Sequence, residues 1–254
     1  MSYKNVGIRA AKEAGQLIMK EFRKEKSYKS KSVDQNVTEV DFKSQKRIIS
    51  VISKKYPDHD IIAEEKYHKK SKSKYEWIID PIDGTDNYIY GLPHFCVSIA
   101  LAHEGGVILG IVYNPVIKEL FTAEKGKGAY FNGKKIHVNK GKQYPQPLIL
   151  FDASLHFMTD KKLKGLRALA KKGFYIRTKG SCALDMCYIA KGYVQGKVAY
   201  NIKAWDIAAA GLIIEEAGGK VTDHNGEPWS TKSTRIIASN RFLHDTIIKS
   251  VSKS

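Results

Sequence analysis

The segment Trp77-Ile78-Ile79-Asp80-Pro81-Ile82-Asp83-Gly84-Thr85-Asp86-Asn87 constrains the fold more than any other stretch of this chain. Its apolar start reads as a buried strand that runs into an acid and a proline. Proline has no N–H to give to a ladder, so a turn is predicted at Pro81. Asp80 and Asp83 are three residues apart. Along an uninterrupted strand they would face opposite sides, whereas a turn after Pro81 can aim both carboxylates at one point. Two converging carboxylates repel unless a cation lies between them. An oxygen-only set with no Cys or His nearby selects Mg²⁺ or Mn²⁺ over zinc. The Ile82 carbonyl offers a further oxygen. Gly84 permits close backbone approach, and the N–H groups of Gly84, Thr85 and Asp86 could hold an anion at a turn or helix start. The Thr85 hydroxyl could orient a water. The bland alternative is an ordinary Asp-Pro…Asp-Gly turn, a common use of these dipeptides.

Two further acidic sites weigh against that alternative. Upstream, Ile61-Ile62-Ala63-Glu64-Glu65 is a second apolar run ending in acids, and two such strands can place their acids at one sheet edge. The competing reading is a solvated loop ahead of the basic run 66–74. Downstream, Ala204-Trp205-Asp206-Ile207-Ala208-Ala209-Ala210-Gly211 opens a small-residue helix. Asp206 at its start would cap it in any case. Such a helix can lie very close to a sheet and so hold Asp206 at a fixed distance.

Periodicity predicts helices over 3–26, 41–56, 160–172, 182–192, 205–217 and 241–252. Thr38-Glu39-Val40-Asp41 resembles a capping box with Thr38 as N-cap, and Gly218-Gly219 stops the fifth helix. Strands are expected at 61–63, 77–79, 95–102, 107–113, 120–123, 129–131, 148–151, 174–177, 197–201, 220–222 and 235–239. Gly105-Gly106 joins two of them as a hairpin. The polar, Lys-rich stretch 27–36 reads as a loop and a candidate lid. Hairpins flanked by helices indicate a layered α+β fold rather than a doubly wound sheet.

The chain has 254 residues, 43 Lys plus Arg, 26 Asp plus Glu and a net charge of +17. At 43% hydrophobic it holds enough apolar material for a core. It lacks an apolar run of about 18 residues and a secretory pattern at its start, so neither a membrane span nor export is expected. Its three cysteines, Cys96, Cys182 and Cys187, show no metal-ligand spacing, which fits a reduced cytoplasm. Their apolar or helical settings make them core residues rather than nucleophiles. The charge raises nucleic acid as a partner. Against it, the basic runs 66–74 and 160–179 are not interleaved with aromatics, and Lys outnumbers Arg.

Asp80-Pro-Ile-Asp-Gly-Thr85, Trp205-Asp206 and Glu64-Glu65, in this order and spacing, resemble the inositol monophosphatase family of Mg²⁺-dependent, lithium-sensitive phosphatases, in its bacterial branch. The segments 37–41, 91–101, Gly180-Ser181 and 205–219 extend the likeness over nearly the whole chain. The resemblance implies one catalytic domain over 1–254, folded as a layered αβαβα sandwich and usually a homodimer. The half up to about 145 would carry most metal ligands, and the rest Asp206 and the substrate pocket. It implies up to three Mg²⁺, with Mn²⁺ as substitute and Li⁺ as inhibitor. Glu64, Asp80 and the Ile82 carbonyl would hold the first, and Asp80, Asp83 and Asp206 the second. Glu64 and waters would hold a third, with Glu65 as support.

In the same reading Asp41 and Thr85 activate the attacking water with Glu64, and Gly84 and Thr85 hold the phosphate beside Asp83 and Asp206. Gly180, Ser181, Cys182 and Lys203 line the leaving-group pocket, where Lys203 could meet a second anionic group on the substrate; the alternative for Lys203 is a solvated lysine at a strand end. Two positions depart from the family. Asp86 would repel phosphate and is expected to point away. Ala199 falls where the animal enzymes carry an inositol-binding Glu, which puts strict inositol specificity in doubt. The implied activity is hydrolysis of a small phosphomonoester, such as an inositol, sugar or polyol phosphate. Relatives acting on fructose 1,6-bisphosphate, 3′-phosphoadenosine 5′-phosphate, histidinol phosphate or NADP are alternatives, as is a role bound to RNA polymerase or RNA.

Overall fold

The computed structural model describes residues 2–24, 27–32, 35–140, 146–152 and 159–252. Helix α1 (Tyr3–Glu21) starts at Ser2, whose hydroxyl accepts from the Asn5 N–H. Next come a short hairpin, β1 (Tyr28–Ser32) and β2 (Gln35–Thr38), and helix α2 (Glu39–Lys55). The stretch 27–36, read as a loop, is thus largely this hairpin; positions 33 and 34 lie outside the described residues. The capping box forms as the sequence indicates. Thr38 Oγ1 accepts from Val40 N, and Asp41 accepts from the Thr38 N–H.

An eight-stranded sheet follows, built from β3 (Asp60–Ala63), β4 (Tyr67–Lys69), β5 (Tyr75–Asp83), β6 (Cys96–His103), β7 (Gly106–Asn114), β8 (Glu119–Glu124), β9 (Ala129–Phe131) and β10 (Lys134–Ile136). Its spatial order is β10-β9-β8-β7-β6-β5-β3-β4. Helix α3 (Thr85–Ile89) leaves the end of β5. The second sheet takes β11 (Leu148–Phe151), β12 (Tyr175–Arg177), β13 (Gly196–Tyr200), β14 (Lys220–Thr222) and β15 (Arg235–Ser239), in the order β12-β11-β13-β15-β14. Helices α4 (Asp160–Lys171), α5 (Cys182–Ala190), α6 (Ala204–Glu216) and α7 (His244–Ser252) complete the chain.

Strand alternation sorts these elements into layers. Trp77, Ile79, Ile99 and Ile111 face α1 and α2, while Ile78, Ala100 and Val112 face α5 and α6. On the second sheet Leu150, Ala199 and Ala238 turn toward α5 and α6, and Ile149, Phe151, Val198 and Ile237 turn toward α4 and α7. The result is the expected αβαβα sandwich. Among the described residues no helix is long and apolar enough to cross a membrane.

The turn expected at Pro81 does not form. β5 runs through the proline to Asp83, with a bulge between Asp80 and Asp83. Asp80 pairs with Ser98 and Asp83 with Cys96, so three steps on β5 oppose two on β6. The extra residue reverses the side-chain alternation and puts both acids on one face. A bulge also tolerates the missing proline N–H, and the Pro81 carbonyl accepts from Ser44 Oγ on α2.

The close seat of α6 is confirmed. A Cβ at Gly110 of β7 would lie 2.4 Å from the Ala209 carbonyl oxygen, on backbone that has nowhere to move. Gly110→Ala is therefore expected to cost about 1–3 kcal/mol through overpacking. Urea denaturation would check this, and an unchanged midpoint would show that α6 can retreat from the sheet.

Candidate active site

The bulge on β5 delivers Asp80 and Asp83, both almost wholly buried. One ladder bond beyond the end of β3, Glu64 N–H donates to the Ile79 carbonyl. That bond keeps Glu64 in register beside Asp80, with which it shares a hydrogen bond. Asp206 enters from the first turn of α6, where the Lys203 N–H donates to its Oδ2 at 2.6 Å. One carboxylate oxygen from each of Asp80, Asp83 and Asp206 lies within 4.8 Å of the other two.

This crowding has an electrostatic signature. Burial, and then the neighbouring acids beginning with Glu64, raise the Asp80 pKa well above the usual carboxylate range. Burial, and then Asp83, push Asp206 up to about 8. The chemistry of this donor set fits a hard divalent cation. Oxygens around one octahedral Mg²⁺ stand about 3–4 Å apart, and the three carboxylate oxygens here lie within 4.8 Å of one another.

Asp83 has a second task. Its Oδ2 accepts from Ser181 Oγ at 2.5 Å and from the Ala183 N–H at 2.8 Å, and its Oδ1 accepts from the Cys182 N–H at 3.0 Å. Ser181 occupies the N-cap of α5 without capping it; the carboxylate arriving from β5 satisfies those N–H groups instead.

Asp41 and Thr85 meet as the resemblance implies. Asp41 is fully buried, and its Oδ2 accepts from both the N–H and the Oγ1 of Thr38, at 2.8 and 2.6 Å. Thr85 Oγ1 lies 3.2 Å from Asp41 Oδ1 and 3.0 Å from the Ile82 carbonyl. Gly84 precedes α3 with φ +94°, and a Cβ there would press at 3.1 Å on the Gly180 and His94 carbonyls. Conformation and space both demand glycine at that position. The exposed Asp86 is turned onto Asn36 of the hairpin, whose Nδ2 donates to it at 2.7 Å.

Glu64, Asp80, Asp83, Asp206, Gly84, Thr85 and Asp86 line a cavity of about 430 Å³, together with Gly180, Ser181, Cys182 and Ala199. Glu65 stays behind it, buried, with its backbone exchanging hydrogen bonds with the Gln45 amide. Lys203 is not among the lining residues. Its side chain is exposed, and only its backbone N–H serves the site. The lysines on the wall are Lys179 and Lys197. Cys96 and Cys187 are core residues, and burial raises all three thiols well above their ordinary pKa, which removes a thiolate nucleophile.

Sequence reasoning missed Lys197, Asp152 and Asn87. Asn87 Nδ2 donates to the His94 and Lys179 carbonyls, both at 2.7 Å, and so ties two loops at the mouth. Lys197 on β13 and Asp152, just past the end of β11, have partners, Asp185 and Lys162, that come from helices. No local pattern announces such pairs.

The site can be set beside known proteins. The model of the inositol monophosphatase family matches residues 2–254. Nus factor SuhB of Pasteurella multocida is 39% identical over 96% of this chain and 94% of its own. The fructose-1,6-bisphosphatase/inositol-1-monophosphatase of Thermotoga maritima is 36% identical over 97% of this chain and 94% of its own. A solved IMPase/NADP phosphatase complexed with Mg²⁺ and phosphate superposes with a TM-score of 0.81 and 30% identity, covering 94% of this chain and 89% of that one. The family match runs over both sheets and the whole site region: the chain belongs to the inositol monophosphatase family.

Proposed function

We propose that this protein is a Mg²⁺-dependent phosphatase of a small phosphomonoester, acting by direct in-line attack of water. The observation that carries this reading is the convergence of Asp80, Asp83 and Asp206, with Glu64 alongside, on the Thr85–Asp41 pair. Glu64, Asp80, the Ile82 carbonyl, Asp83 and Asp206 would hold two to three ions, which supply charge neutralisation at the phosphoryl oxygens and a lowered pKa for water. The Mg²⁺ and phosphate of the IMPase/NADP phosphatase complex support that assignment.

The protein groups do the positioning. Asp41 is shut away from the cavity and held by Thr38, so it serves as a fixed acceptor for the Thr85 hydroxyl proton. With that proton turned inward, the Thr85 Oγ lone pairs face the cavity and orient the attacking water. The first-turn N–H groups of α3 are left without helical partners and line the cavity at Thr85, Asp86 and Asn87. They hold phosphate oxygens, and Asn36 keeps the Asp86 charge aside. Cytoplasmic location and a homodimer belong to the same reading.

The name of the Pasteurella relative supports a second reading, a regulatory association with RNA or RNA polymerase, for which the +17 charge is suited. It is compatible with catalysis. An Asp83→Asn protein that is catalytically silent yet retains RNA at physiological salt would establish it.

Asp206→Asn should lower Mg²⁺-dependent phosphate release at least about 10³-fold, because several kcal/mol of charge stabilisation is lost. Retention of most activity would remove Asp206 from the site. Thr85→Ala should cost about 10²-fold in kcat, with Thr85→Ser close to wild type; equal losses in both would deny the hydroxyl its role.

Metal binding should also report the raised carboxyl pKa values. Protonated acids cannot ligate, so Mg²⁺ affinity should weaken about tenfold per pH unit below 8 for each proton displaced. The rise in Tm produced by a fixed Mg²⁺ concentration should therefore grow from pH 6 to pH 8. A pH-independent rise would mean that the ion binds elsewhere.

A further inference from the structure

Lys197 is 3% exposed yet forms part of the cavity wall. It lies on β13 two residues before Ala199, so both project from the same face of the strand. Its Nζ donates to Asp185 Oδ2 at 2.6 Å, and the other oxygen of Asp185 meets His94 Nε2 at 2.9 Å. Asp185 keeps the ammonium charged against the cost of burial. An ammonium carries three donors, and among the described residues Asp185 is the one hydrogen-bond partner of Lys197 Nζ. Two N–H groups of a buried cation thus have no hydrogen-bond partner among the described residues, at a residue that lines the cavity.

The surrounding wall favours an acceptor there. Ala199 contributes no polar side-chain atom where an inositol-binding carboxylate is expected. Asp152 lines the same cavity; its carboxylate accepts from Lys162 Nζ at 2.8 Å and also attracts Lys197. Asp86 is held by Asn36. Lys179 also lines the rim, with its ammonium 4.7 Å from the centroid of the Tyr188 ring. A neutral polyol needs acceptors for its hydroxyl protons, whereas a carboxylate or a second phosphate only accepts. Charge-assisted bonds from a buried lysine are stronger than those to a hydroxyl.

We propose that Lys197 determines specificity, by donating to a second anionic group, carboxylate or phosphate, on the leaving-group side of the substrate. This rests on the phosphatase reading above and reassigns to Lys197 the role that the sequence suggested for Lys203. The reacting phosphoryl group stays at the acidic cluster, and no new bond-making step is involved.

Two matched substrate pairs test the proposal and separate the two anions. 3-Phosphoglycerate against glycerol 3-phosphate differs by a carboxylate, and fructose 1,6-bisphosphate against fructose 1-phosphate by a phosphate. The anionic member of at least one pair should be preferred about tenfold or more in kcat/KM, chiefly through KM. The responding pair names the group. Lys197→Met should abolish that preference while leaving kcat on the neutral member within about threefold.

Should Lys197→Met fold poorly around an unpaired Asp185, the double variant Asp185→Asn/Lys197→Met removes both charges and should show the same loss of preference. Absence of preference in both pairs, or an equal loss on both members of the responding pair, would overturn the proposal. If none of the four compounds is hydrolysed, the phosphatase reading is what fails. Calorimetry on the Mg²⁺-loaded protein still decides the role of Lys197. 2-Carboxyethylphosphonate should then bind about tenfold tighter than propylphosphonate in wild type and equally in the variants, and equal binding in wild type would sink the proposal.

Discussion

Mutual repulsion between buried carboxylates is the constraint around which this molecule is arranged. Asp80, Asp83 and Asp206 reach one small volume from a bulged strand and a helix start, and Glu64 adds a fourth acid. Water cannot screen them there, so each carboxylate is either protonated, hydrogen-bonded or neutralised by a cation. Asp83 takes the hydrogen-bonded route through the α5 terminus and Asp206 through the Lys203 N–H. Asp80 accepts one bond from the Ile82 N–H at 3.0 Å, and burial among the other acids still raises its pKa well above the usual range. The fold supplies rigidity against this repulsion by seating α6 on β7 with no side chain between Gly110 and the Ala209 carbonyl.

Much of this was legible in the sequence because it is written in local chemistry. Alternating apolar residues, a Thr-x-x-Asp start and a Gly-Gly stop fix strands and helix ends through interactions within a few residues. The acidic site was legible for the same reason. Glu64 and Asp80 end apolar runs, and Asp206 opens a small-residue helix. What failed to read was decided at longer range. The bulge at Pro81 follows from pairing with β6, and β1 and β2 consist of polar residues that look like loop. The short α3 after Gly84 and the edge strands β4 and β10 have no period long enough to detect.

The pocket beyond the acids shows the same division. Lys203 entered the expected pocket through the resemblance, yet in an N-cap position its backbone N–H meets Asp206 and its side chain is exposed. Lys197 carries no local signal. Its meaning comes from Asp185, a residue on a helix in the layer against which the strand packs. Buried ion pairs across layers leave no signature in spacing. The net charge of +17 likewise divides once the fold is known, into lysines on exposed helix faces and a few held inside against single partners.

Helix α5 joins two parts of this architecture. Its first turn is held by Asp83, and Asp185, one turn on, holds Lys197. The acidic cluster and the lysine wall therefore share one short rigid rod. A shift of the whole helix would move both at once, whereas a change confined to the Lys197 side chain leaves the Asp83 contacts of the first turn in place.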